Sequence, residues 1–259
     1  MADLLAATRA IAAEAGALAL KRSREAFRRW DKSPGNPVSD VDLELDALLR
    51  ARLSALLPEA GWLSEETADN EERLAHERVW VVDPIDGTRD FVRGRSGWAV
   101  SIALVERGRV VLGVLDAPAL GRSWWAALGA GAWRGETRLR CAARDLLAGA
   151  RVPTDSLPRE DRDLVAVAKP NSIALRIAMV AAGEADLVAT LRWGYEWDVA
   201  AAALIAAEAG ACVSDAFGAP LAFNTARAQA FGVLACAPGI HAAAVERLAG
   251  RARALTSPA

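Results

Sequence analysis

The chain has 259 residues, 31 Lys and Arg against 33 Asp and Glu, a formal charge of −2 and 53% hydrophobic residues. Such a composition supplies a sizeable core and excludes a disordered chain. Charges of both signs are mixed along the chain, so there is no basic stripe to bind a nucleic-acid polymer. No apolar run reaches the length needed to cross a membrane.

The alanine-rich start lacks the basic n-region of a signal peptide, and Arg9, Glu14 and Lys21 interrupt it at helical intervals. The pattern predicts a helix over residues 3–29, ended by the turn chemistry of Lys32-Ser33-Pro34-Gly35-Asn36-Pro37. A second helix over residues 40–57 follows, with Val41, Leu45, Leu48, Leu49, Leu53 and Leu56 on one face. Strands are expected at 79–82, 98–105 and 110–115, the last two joined as a hairpin through Glu106-Arg107-Gly108-Arg109, with 123–127 and 132–134 extending the sheet. Beyond Cys141 strands at 163–168, 185–191, 212–214 and 232–236 alternate with helices at 173–182 and 198–209 and a final helix. The reading is an α+β lobe at residues 1–140 and an α/β lobe at 141–259, forming one catalytic unit. Cys141, Cys212 and Cys236, an odd count without metal-type spacing, predict reduced thiols in a cytoplasmic protein.

The chemistry concentrates in Asp83-Pro84-Ile85-Asp86-Gly87-Thr88, directly after the apolar run Val79-Trp80-Val81-Val82. Two carboxylates at the end of a buried strand need neutralising, which a divalent cation does well. The adjoining Gly-Thr offers N–H groups and a hydroxyl to an anion such as phosphate. A covalent aspartyl phosphatase has Asp-x-Asp at such a place. The wider spacing here, with Pro84 after the first Asp, favours two metal ligands instead. Three other acidic elements each fit an ordinary structural role. Glu65-Glu66 reads as a solvated loop, Asp198 as an N-cap, and Ser39-Asp40-Val41-Asp42 as a capping box.

Together these elements resemble one pattern. Lys32, Ser39-x-x-Asp42, Glu65-Glu66, Asp83-Pro-Ile-Asp-Gly-Thr-x-x-Phe91 and Trp197-Asp198-x-Ala200, in that order, resemble the inositol monophosphatase superfamily from about residue 10 to 240. The resemblance implies a layered αβαβα sandwich of the inositol monophosphatase and fructose-1,6-bisphosphatase type. It also implies Mg2+ dependence, with two or three ions per site, and hydrolysis of a phosphate monoester by activated water. Carried over by position, Glu65, Asp83 and the Ile85 carbonyl hold one metal, and Asp83, Asp86 and Asp198 a second. Thr88 and Asp42 activate the water with Glu66 nearby, and the N–H groups of Gly87 and Thr88 bind the phosphate.

Ser64-Glu65-Glu66 and Glu196-Trp197-Asp198 are most similar to the CysQ-type 3'(2'),5'-bisphosphate nucleotidase branch, which makes 3'-phosphoadenosine 5'-phosphate the expected substrate. Glu196 and Arg176 are then the expected substrate contacts, with Lys169 as a further cation for a second phosphate. That branch's Ser-Arg-Ser-His strand has no counterpart, Ser172-Ile-Ala-Leu-Arg176 stands in place of its Gly-Ser-Ser-x-Lys turn, and the segment 135–172 is short. An inositol-1-phosphatase or a broad sugar-phosphate phosphatase is therefore the alternative. A non-catalytic regulator on the same fold is disfavoured because every ligand position keeps its carboxylate. The superfamily also implies a small phosphorylated substrate and a homodimer.

Overall fold

The computed structural model describes residues 1–256, so the last three residues of the expected C-terminal lobe lie outside the described range. In chain order the elements are α1 (Ala2–Arg22), β1 (Arg29–Ser33), β2 (Asn36–Ser39), α2 (Asp40–Leu56), β3 (Gly61–Ser64) and β4 (Arg78–Asp86). Next come the one-turn helix α3 (Thr88–Phe91), β5 (Ala99–Glu106), β6 (Arg109–Ala117), β7 (Arg122–Ala127), β8 (Ala132–Arg134) and β9 (Thr137–Arg138). The second half holds β10 (Arg151–Pro153), β11 (Val165–Val167), α4 (Ile173–Ala181), β12 (Leu187–Ala189), β13 (Trp193–Tyr195) and α5 (Glu196–Glu208). It closes with β14 (Cys212–Ser214), β15 (Gln229–Phe231), β16 (Leu234–Cys236) and α6 (His241–Thr256).

Strands β3 to β9 form a seven-stranded sheet in sequence order, antiparallel throughout except for the parallel pair β3–β4. Both faces are covered. Trp80, Val82, Val100, Ile102 and Leu104 face one apolar cluster with Val41, Leu45 and Leu49 of α2 and Ala12 and Ala15 of α1. Their alternate neighbours Val79, Val81, Ala99, Ala103 and Val105 face the other side, toward α4 and α5. Burial on both faces is why these strands read as continuous apolar runs although they pair antiparallel.

Helix α5 is buried from Val199 to Ala206, which accounts for its alanines: a helix between two sheets is apolar all round, and small side chains let it approach closely. Beyond it lies the sheet β12-β16-β14, and Leu187, Leu234 and Cys236 on its far side pack on Ala244 and Leu248 of α6. The five layers are thus α1/α2, sheet, α4/α5, sheet and α6, an αβαβα sandwich. The largest apolar cluster draws residues from both sides of position 140. Among the described residues no helix is long and apolar enough to cross a membrane.

Several expectations need correcting. The first helix stops at Arg22 instead of continuing to residue 29, and 29–39 folds back as the hairpin β1–β2. All five residues of β1 are exposed, so the strand has no apolar alternation to reveal it. In the C-terminal half the sheet β12-β16-β14 is antiparallel, and the short pair β10–β11 is parallel. Residues 232–236 reduce to β16, with β15 before it pairing instead with β13. The hairpin at Arg107-Gly108 forms as expected, both residues having positive φ.

One carboxyl in this framework has a measurable cost. A Cβ built on Gly16 of α1 would overlap Asp116 Oδ2, so the helix crosses β6 where only glycine leaves room. Burial there pushes the Asp116 carboxyl from its ordinary 3.8 up to about 6. The folded state therefore keeps a proton that the unfolded chain releases, and stability falls as pH rises through that interval. Asp116→Asn removes the penalty. It should stabilise the protein by about 1–2 kcal/mol above pH 6 and by almost nothing below pH 4, after allowing for partial exposure. Denaturant midpoints at the two pH values check this.

Candidate active site

The acidic ends of two neighbouring strands create the site. In the parallel register Ser64 lies beside Val82, so Glu65 and Asp83 leave the sheet together, with the Glu65 N–H donating to Val82 O at 3.3 Å. On the other side of β4 the register slips, Asp83 standing opposite Ser101 and Asp86 opposite Ala99. In a regular strand residues three apart point to opposite faces; the bulge absorbs one residue and turns both carboxylates toward the same cavity. Asp198, in the first turn of α5, completes the group.

Glu65, Asp83 and Asp198 each offer a carboxylate oxygen, and these oxygens all lie within 4.8 Å of one another. Asp83 is 1% exposed. Burial first, then the charges of Glu65, Asp86, Asp198 and Asp42, hold its carboxyl well above the usual range. Asp198 is raised in the same way, by burial and then by Asp86 and Glu65. An all-oxygen donor set that repels itself this strongly fits a hard divalent cation, which would reverse the cost of assembling it.

Asp86 stands apart from that trio. Its Oδ2 accepts from Ser172 Oγ and from Ala174 N at 2.8 Å, and its Oδ1 from Ile173 N at 3.4 Å. It thus caps the start of α4 while lining the same cavity, and burial above all pushes it up to about 6. The Ile85 carbonyl accepts from Thr88 Oγ1 at 3.0 Å, and the same hydroxyl lies 3.4 Å from Asp42 Oδ1.

Asp42 combines two roles that its sequence context left as alternatives. Its Oδ2 closes the capping box of α2, accepting from Ser39 N at 2.8 Å and Ser39 Oγ at 2.5 Å, and its Oδ1 is directed to Thr88. Burial pushes this carboxyl up to about 6. Glu66 is pushed up to about 7, chiefly by burial, against the opposing effect of Lys32, whose ammonium donates to it at 2.6 Å. Lys32 also reaches Glu65 at 3.3 Å, so the exposed hairpin supplies the cation that faces this acidic pair.

Gly87 is the hinge of the motif. Its φ is 98°, and a Cβ there would stand 2.7 Å from Gly97 O and 2.9 Å from Ser172 N. The first N–H groups of the turn that follows have no intrahelical acceptor.

The surrounding cavity, about 730 Å³, is lined by Glu65, Asp83, Ile85, Asp86, Gly87, Thr88 and Asp198 and rimmed by the cations Arg89, Lys169, Arg176 and Arg192. The structure therefore gathers most of the expected residues around one cavity. Glu196 is the correction. It is wholly buried and accepts from Asn224 N at 2.5 Å, Thr225 N at 2.9 Å and Thr225 Oγ1 at 2.6 Å, so it fastens a loop and has no face toward substrate.

Sequence reasoning overlooked Asp46, which accepts from Ser64 Oγ at 2.5 Å and Thr67 Oγ1 at 2.7 Å and thereby holds the Glu65-Glu66 turn. The available signal was a second carboxylate one turn after Asp42 on the apolar face of α2. Ser172, clamped on Asp86, was likewise read only as part of a turn.

Acidic ligands for a hard cation beside a cationic rim define a metal-dependent site for a small anionic substrate. The relatives of this chain point the same way. The model of the inositol monophosphatase family matches residues 1–254. An inositol-1-monophosphatase of Mesorhizobium japonicum is 37% identical over 202 residues, covering 72% of this chain and 75% of the relative. The 3'(2'),5'-bisphosphate nucleotidase CysQ of Escherichia coli is 33% identical over 202 residues, covering 74% and 82%. Among solved structures, SuhB of Mycobacterium tuberculosis is 33% identical with a TM-score of 0.74, covering 96% of this chain and 98% of that one. The chain belongs to the inositol monophosphatase family, and it is accordingly a metal-dependent phosphoric monoester hydrolase.

Proposed function

We propose that this protein removes the 3'-phosphate of 3'-phosphoadenosine 5'-phosphate. The observation that carries the reading is the pairing, in one cavity, of the Glu65–Asp83–Asp198 carboxylates with the cations Lys169, Arg176 and Arg192. Such a pocket suits a substrate with a second anionic group beyond the ester being cleaved. Inositol 1-phosphate is the alternative, favoured by the identity to the Mesorhizobium japonicum enzyme.

In this reading Glu65, Asp83 and the Ile85 carbonyl would hold one Mg2+, Asp83, Asp86 and Asp198 would hold a second, and Glu66 would serve a third. Mg2+ would supply charge neutralisation for the phosphoryl oxygens and acidify a water. The chain's own residues do the rest. Thr88 Oγ1 orients the attacking water, and Asp42, with a pKa lifted toward neutrality, draws the proton through that hydroxyl. Gly87 and Thr88 present backbone N–H groups to the phosphate, and Asp86 holds α4, and with it Arg176, against the pocket. A homodimer in the cytoplasm, with reduced cysteines, belongs to the same proposal.

Phosphate release from a substrate panel with Mg2+ tests it. The expected kcat/KM for 3'-phosphoadenosine 5'-phosphate exceeds that for inositol 1-phosphate by about tenfold or more. The reverse order makes the protein an inositol-phosphate phosphatase.

A further inference from the structure

The cavity wall also carries a flat surface that phosphate chemistry does not need. Tyr195 ends β13, lines the cavity and is 44% exposed. One face of its ring is stacked on Trp197, with centroids 4.4 Å apart and planes 6° from parallel. Trp197 is itself buried. A tyrosine backed by a buried indole is held in place before any ligand arrives, so it loses little side-chain entropy when a planar group stacks on it.

Arg192, two residues before β13's glycine, lines the same cavity. The other three rim cations are engaged. Arg89 donates to Gly35 O at 2.5 Å, Lys169 pairs with Asp155, and Arg176 donates to Ser172 O at 3.2 Å and Asn171 O at 2.9 Å. The Arg192 guanidinium makes no hydrogen bond or close ion pair among the described residues, although its charge acts on Asp198 and on Arg176. A preset aromatic face and a guanidinium with no hydrogen-bond partner, lining one cavity, match the two recognition features of a nucleoside phosphate: a base with a π-face and a dianion that guanidinium binds in a fork.

We propose that Tyr195 and Arg192 form the leaving-group subsite, Tyr195 stacking on the nucleobase and Arg192 holding the 5'-phosphate of a nucleoside bisphosphate. The assignment rests on the nucleotidase reading for the identity of the bond cleaved, but product binding tests it separately. Adenosine 5'-phosphate and ribose 5-phosphate would be used as competitive inhibitors of the hydrolysis of p-nitrophenyl phosphate.

Tyr195→Leu should raise the inhibition constant of adenosine 5'-phosphate about tenfold and leave that of ribose 5-phosphate in place, with Tyr195→Phe restoring the former. Arg192→Gln should raise both constants about tenfold. If adenosine 5'-phosphate does not inhibit the wild type, or inhibits it and both variants equally, the subsite is refuted. If these shifts appear but the wild type prefers inositol 1-phosphate to the bisphosphate, the subsite stands and the nucleotidase reading falls.

Discussion

Asp83→Asn will lower phosphomonoesterase turnover about a thousandfold, corresponding to roughly 4 kcal/mol of transition-state stabilisation, while raising the melting temperature of the metal-free protein. The two effects share one cause. Asp83 is buried among Glu65, Asp86, Asp198 and Asp42, and the repulsion it suffers there is the price of a cation site. Asparagine keeps the hydrogen bond from Ile85 N, 2.9 Å in the native turn, so the bulge survives. It removes a charge the empty fold disfavours and a charge the loaded fold requires. Steady-state kinetics and thermal melts in chelator would measure both. Wild-type turnover in the variant would show that Asp83 is no ligand.

Arg73→Ala is expected to destabilise the protein by about 3–5 kcal/mol, the cost of breaking a buried charge network, and to lower the melting temperature by about 10 °C. Arg73 is 1% exposed. Its guanidinium binds Asp69 at 2.7 and 2.9 Å, Asn224 Oδ1 at 2.6 Å and Thr225 O at 2.8 Å. The same two loop residues, 224 and 225, are held from the other side by Glu196. Arg73 therefore ties the N-terminal half to the loop that positions the start of α5, and with it Asp198. Because Asp198 depends on that anchorage, the residual folded protein should also bind metal more weakly. Melts with and without Mg2+ would check the pair of effects, and an unchanged melting temperature would refute the tie.

The two-face burial of the main sheet was legible because apolar runs as unbroken as 79–82 and 98–105 arise where a strand has no solvent-facing side. Asp83 was legible from its place at the end of a buried strand, whereas Glu65 and Asp198 were legible only as part of the set, since each by itself reads as a loop residue or a cap. Periodicity was silent about β1, which buries nothing, and about three-residue strands such as β13, too short for any period to show. Glu196 misled because it stands two residues before Asp198, and closeness in sequence does not reveal that positions two apart on a helix point about 200° apart. Tyr195 was invisible as a platform, since only the stacking of Trp197 behind it distinguishes a presented ring from an ordinary surface aromatic.

Calorimetric titration of Mg2+ into the metal-free wild type and the Asp83→Asn variant shows whether Asp83 is a metal ligand. A cation favours the ionised form of carboxyls held above their usual range, so wherever they are part-protonated its binding should release protons and the wild-type binding heat should vary with the ionisation enthalpy of the buffer. The expected result is Mg2+ binding with proton release in the wild type and at least about a hundredfold weaker affinity in Asp83→Asn. Equal Mg2+ affinity in the two proteins, or no binding to either, would contradict it.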